Sequence, residues 1–167
     1  MGMLDRRFRS HAKRYVLQSG LAVLAIMIVL WVLDTISNTA IIAALGASSF
    51  VAFAMPKVRT SKARYLIGGY VVGIVSGVLC YFLSELPLLA GVPVINTRLD
   101  VVFGALAVGL AMFGMVVTNT EHPPAAGLAL GFVLNEWNVL TIVVVVVGIV
   151  SLSIIKKLLE PVLVDLV

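Results

Sequence analysis

The stretch "TNTEHPPAAG", residues 118–127, sets an acid, a histidine and two prolines between two apolar runs. The 167-residue chain around it is 61% hydrophobic and carries only 12 Lys and Arg and 8 Asp and Glu. So few charges cannot cover a soluble domain of this size, and the long apolar runs read as membrane spans. Helix breakers and ionisable groups are costly at membrane depth. The stretch therefore marks a joint with a purpose.

Working outward from it, apolar runs predict six spans, at residues 15–33, 39–55, 65–83, 101–117, 122–137 and 139–155. They form one transmembrane domain over 15–157, preceded by a basic interfacial segment, 1–14, and followed by a tail, 158–167. The basic start resembles a leader. Its apolar run is long, however, and has no Ala-x-Ala pattern, so a retained helix is expected. Trp137 falls where an interfacial anchor would sit. The single cysteine, Cys80, excludes a disulfide framework.

Orientation follows from the basic residues. With six crossings and both termini cytoplasmic, the N-terminal group (Arg6, Arg7, Arg9, Lys13, Arg14), the second-loop group (Lys57, Arg59, Lys62, Arg64) and Lys156 and Lys157 all lie inside. Only Arg98 falls outside. The net charge of +4 reports this topology rather than nucleic-acid binding.

Two spans carry defects, the second at Gly46-Ala47-Ser48-Ser49 and the fifth at His122-Pro123-Pro124. These positions correspond if two three-helix halves form an inverted 3+3 repeat, a pattern that points to a transporter's central site. "SNTAIIAALGA" (37–47) can be laid over "TNTEHPPAAGLA" (118–129), matching Asn38 to Asn119, Thr39 to Thr120, Ala44 to Ala125 and Gly46 to Gly127. The expected architecture is an all-α integral membrane protein with spans two and five interrupted.

Proline ends the preceding helix and suits the first turn of the next. A helix opening at Pro123-Pro124 would expose N–H groups of Ala125, Ala126 and Gly127 at the positive end of its dipole. Gly46, Ala47, Ser48 and Ser49 would do the same in the other half. Two such ends converging near the midplane would hold a small anion without Lys or Arg. His122 reads as a titrating gate, as a donor to the substrate, or as a cap and strut between helices. Glu121 reads as a solvated acid or a partner of His122. Asn119, with Thr120 beside it, either satisfies broken backbone or faces the path; Tyr70 reads as packing. No metal site, cofactor site or catalytic constellation is apparent. Gly69, Gly73 and Gly77, at every fourth position, predict a close helix contact. Contact between subunits would make a homo-oligomer, most simply a dimer.

The chain also resembles the HPP family of small integral membrane proteins. The resemblance is carried by "GASSFVAFAMP" (46–56), "YLIGGYVVG" (65–73) and "HPPAAG" (122–127). Members in cyanobacteria and plastids are associated with nitrite transport, so the resemblance implies nitrite as a candidate substrate. The family pattern often has histidine after the Gly-Gly pair, where this chain has Tyr70. It often has proline before that region, near Ala63, and Ala-Gly-Ala after HPP, where this chain has Ala125-Ala126-Gly127. The family is usually described with four spans; the charge count here favours six. The expected function is transport of a small inorganic or one-carbon monovalent anion. The competing expectation is a scaffold or sensor whose basic cytoplasmic surface binds a partner or anionic lipid.

Overall fold

The computed structural model describes residues 6–33, 39–86 and 99–166. The expectations placed on Ser37, Asn38 and Arg98 lie outside these residues. Among the described residues six α-helices follow one another: α1 (Arg6–Leu33), α2 (Thr39–Ala54), α3 (Ala63–Ser84), α4 (Leu99–Thr118), α5 (Pro123–Leu134) and α6 (Val139–Leu159). A short 3-10 turn, Arg59–Ser61, lies between α2 and α3. In an apolar layer each backbone N–H and C=O must find its partner within the segment, so these apolar runs are helical. Three of them, α3, α4 and α6, are long and apolar enough to cross a membrane. Ile42–Ala54 of α2 and the whole of α5 are shorter apolar helices. The 12 residues of α5 span about 18 Å, roughly half a bilayer.

Local chemistry sets the helix ends. α2 stops before Pro56, which disfavours helical geometry at the residue ahead of it. α6 opens with a capping box in which the Asn138 side chain accepts from the Thr141 N–H at 3.0 Å and Thr141 Oγ1 accepts from the Asn138 N–H at 3.3 Å. α4 ends in a left-handed residue, Asn119 (φ 56°). There the Asn119 N–H donates to Val116 O at 3.3 Å and the Thr120 N–H to Met115 O at 2.9 Å. This pair of bonds is the Schellman closure, and asparagine tolerates its geometry.

Neighbouring helices alternate in direction. Near the middle of α1, Gln18 Nε2 donates to Phe53 O at the end of α2, at 2.7 Å. At the start of α3, Arg64 donates to Thr118 O at the end of α4, at 3.3 Å. The tail beyond α6 returns to the same end, where the Leu166 N–H donates to Ala54 O at 2.9 Å. One end of the bundle thus gathers the start of α1, the α2–α3 loop, the α4–α5 joint and the tail. It is also the end rich in Lys and Arg.

Helix α1 packs on α2 and α6, α2 also on α5 and α6, α3 on α4, α5 and α6, and α4 on α5. Exchanging α1 with α4, α2 with α5 and α3 with α6 carries this set of pairs onto itself. The centre of the bundle is the α3–α5 contact, where the two helices run parallel. A Cβ on Gly69 would lie 2.6 Å from His122 Cβ, on Gly73 2.5 Å from the Ala125 carbonyl oxygen, and on Gly77 2.7 Å from that of Ala129. The glycine stripe is therefore a helix contact, as expected. Its partner is α5 of the same chain, so it gives no support to a contact between subunits.

Two expectations are corrected here. α2 is not interrupted: it runs unbroken from Thr39 to Ala54 through Gly46-Ala47-Ser48-Ser49. None of these residues is a proline, and Ser48 Oγ donates to Ala44 O one turn back at 2.9 Å, so its hydroxyl is satisfied inside the helix. The basic segment is likewise not set apart from the first span, because α1 is a single helix from Arg6.

Candidate substrate site

The HPP joint places one buried side chain at the level where α2, α3 and α5 meet. His122 is the N-cap of α5, in extended backbone (φ −143°, ψ 93°), as the following proline requires. Its side chain makes no cap bond to its own helix and turns instead to α2. His122 Nε2 lies 2.8 Å from Ser48 Oγ, and Tyr70 Oη of α3 lies 2.9 Å from the same oxygen. The Tyr70 and His122 rings are 5.8 Å apart at 40°. Ser48 and Tyr70 are fully buried and His122 is 1% exposed. Ser48 lies six residues before the end of α2 and Tyr70 seven after the start of α3, which puts the trio about 9–10 Å inside the basic end of the bundle.

Ser48 has one proton and three polar neighbours. When it donates to the Ala44 carbonyl, Tyr70 Oη and His122 Nε2 must both donate to Ser48. His122 Nδ1 is then a bare acceptor. It is buried and makes no hydrogen bond; the polar group beside the imidazole is the Thr60 main chain. When the Ser48 hydroxyl turns instead to donate to Nε2, the ring is in the other tautomer, with its proton on Nδ1, and Nδ1 becomes a donor. A buried polar atom without a partner costs free energy that native structures usually avoid.

The loop between α2 and α3 closes over this trio. Ser61 is buried and donates to Pro56 O at 2.6 Å, fixing the turn. Arg59 stacks over the Tyr65 ring at 4.9 Å, hydrogen-bonds its hydroxyl, and pairs with Glu121 at 3.5 Å. Glu121 is thus the partner of Arg59, not of His122. Lys57, Arg59, Lys62 and Arg64, all exposed, lie in this loop and at the start of α3, whereas the buried trio contains no Lys, Arg, Asp or Glu.

Of the residues expected at the site, the structure brings together only His122 and Ser48. Gly46 and Ala47 point away, exposed on the far side of α2. Ser49 is buried but does not join the trio. Asn119 is the helix cap described above. Thr120 bonds Thr118 through their hydroxyls at 2.7 Å and packs against Gly68. The expected row of free N–H groups on α5 is corrected too. Pro123 and Pro124 occupy N1 and N2 and have no N–H. The Ala125 N–H donates to His122 O at 2.9 Å, and Ala125 itself is fully buried. From Ala126 onward the donors belong to the helix ladder. What this helix end presents is His122 rather than backbone. Tyr70, expected as packing, is the member that sequence reasoning missed.

The family model described as "HPP, transmembrane region" matches residues 8–162. The chain belongs to the HPP transmembrane family. No curated protein and no solved structure matches it. The HPP motif that names the family is the joint that carries His122.

Proposed function

We propose that this HPP-family protein is a transporter or channel for a small monovalent anion, with nitrite the leading candidate, and not an enzyme. The observation that carries the reading is the buried, uncharged His122–Ser48–Tyr70 trio, with an unpartnered imidazole nitrogen, beneath a loop rich in Lys and Arg. A neutral set of hydroxyl and imidazole donors binds a small anion weakly enough to release it. An anion brought to this depth needs hydrogen bonds in place of water, and the Nδ1–H tautomer of His122 supplies one. The basic loop raises the local anion concentration at the mouth. Entry from that end requires the Arg59–Glu121 pair to part and the 56–62 loop to move.

The closure of the helix-pair pattern under exchange of the two halves supports an inverted 3+3 repeat with six crossings. The gathering of basic residues at one end supports cytoplasmic termini. With the glycine stripe used inside the protomer, the homodimer has no observation behind it.

The test is uptake of nitrite, formate, bicarbonate and nitrate into proteoliposomes by the wild type and His122→Gln. The reading expects uptake of at least one of these ions above that of protein-free vesicles and a large loss in the variant. Passage of none of them by folded protein would remove the reading.

A further inference from the structure

A second feature of the basic end is independent of the transport reading. Between α1, α2 and the returning tail lies an apolar recess of about 220 Å³, lined among others by Tyr15, Gln18, Ala22, Phe50, Phe53 and Leu166. Its wall is held rigidly. Gln18 Nε2 donates to both Phe53 O and Val164 O at 2.7 Å, and Gln18 Oε1 accepts from the Val164 N–H at 3.1 Å. Tyr15 Oη donates to Leu166 O. The polar ends of Tyr15 and Gln18 are thus turned into its frame, and apart from Ser19 the lining is mostly hydrocarbon.

The recess has a direction. Lys13 and Arg14, both exposed, precede Tyr15 at its outer end, and Ala22 lies seven residues deeper along α1, about 10 Å. On the other wall Lys57 is exposed, and its main-chain N–H donates to Asp165 Oδ1 at 2.9 Å. That bond holds Lys57 beside Leu166. Exposed cations thus lie next to the outer end of the recess in sequence on both α1 and the α2–α3 loop, outnumbering the one acid brought there by a described bond, Asp165, whose carboxylate accepts from the Lys57 main chain. A cationic rim at headgroup level above an apolar slot running into the membrane has the polarity of one lipid molecule.

We propose that this recess is a binding site for an anionic phospholipid, with one acyl chain in the slot and the phosphate between the α1 cations and Lys57. An apolar slot left empty forfeits contacts on one side of each lining atom, and an acyl chain restores them. The cations select the headgroup. Two neutralised cations at the surface correspond to roughly a ten- to thirty-fold preference over a zwitterionic lipid.

The experiment is native mass spectrometry of the full-length protein in detergent, titrated with phosphatidylglycerol or phosphatidylcholine. Wild type is expected to retain one phosphatidylglycerol and to lose phosphatidylcholine under the same activation. Ala22→Phe fills the slot and leaves the charges, so it should lose retention of phosphatidylglycerol. Should Ala22→Phe fail to fold, Ser19→Leu fills the same slot from its exposed side and is held to the same outcome. Lys13→Gln/Arg14→Gln keeps the slot and Lys57, and should lose most of the preference for phosphatidylglycerol over phosphatidylcholine. Equal retention of both lipids by wild type would overturn the proposal. So would slot-filling variants that bind phosphatidylglycerol normally, because the charges alone would then be acting. A shift of oligomeric state in Ala22→Phe, without loss of lipid, would make the recess a contact between copies and overturn it as well.

Discussion

Gly73→Ala offers the sharpest test of how α3 and α5 are held. The new methyl carbon would lie 2.5 Å from the Ala125 carbonyl oxygen and 3.2 Å from its carbon. Ordinary van der Waals contact begins at 3.4 Å, so α3 and α5 must separate by several tenths of an ångström or more. The obstacle is backbone, which no rotamer change can relieve. Overpacking of this kind costs about 1–3 kcal/mol. Replacing a mid-helix glycine by alanine returns up to about 1 kcal/mol. The balance is a loss of roughly 0–2 kcal/mol, which for a chain of this length lowers Tm by up to about 8 °C. Gly46→Ala is the internal control. Nothing lies within 4 Å of its added carbon, so only the propensity gain remains and Tm should rise by about 2–4 °C. The chain carries its own reporter, since its one cysteine, Cys80, is buried. A thiol-reactive dye in detergent will read each melt directly. Gly73→Ala melting at or above Gly46→Ala would refute the close α3–α5 contact.

Further outcomes follow from the same geometry. Ser48→Ala strands both Tyr70 Oη and His122 Nε2 and should cost about 1–3 kcal/mol, whereas Tyr70→Phe, which removes one hydroxyl, should cost about 0.5–1.5 kcal/mol; the two thiol-dye melts check the order. At Asn119 the left-handed backbone predicts that Asn119→Gly keeps wild-type stability while Asn119→Ala loses about 1–2 kcal/mol, an asymmetry an ordinary surface site would not show. Gln18→Leu removes three bonds to Phe53 and Val164 and should free the tail, seen as faster carboxypeptidase trimming at unchanged temperature. Arg59→Gln should leave Tm near wild type, since an exposed ion pair contributes little, but should raise the rate of anion uptake if the 56–62 loop gates the mouth.

The helices were legible because apolar runs in a membrane have little alternative to α-helix. The HPP joint was legible because two prolines in succession cannot continue one. The break at Gly46-Ala47-Ser48-Ser49 was misread for a physical reason. Small and hydroxyl residues do suit helix ends, but here Ser48 satisfies itself on Ala44 and the helix passes straight through. The anion-binding row of N–H groups failed because the prolines that start α5 also delete its first donors. His122 was found from its cost at membrane depth alone. Tyr70 and Gln18 were not, since their partners lie on other helices and on the tail. For Gln18 a signal was present in the chain: an amide among the apolar residues of the first span needs a buried partner. For Tyr70 it was the position after the Gly-Gly pair, one residue along from the stripe that seats His122.

Whether the His122–Ser48–Tyr70 trio lies on an ion path can be measured directly. Stopped-flow nitrite uptake into proteoliposomes should be compared for wild type and Ser48→Ala, at matched protein load and below both melting points. Wild-type uptake is expected well above that of empty vesicles, with a drop of at least tenfold in Ser48→Ala. Equal uptake by the two proteins would contradict a path through the trio and leave it as a strut between helices.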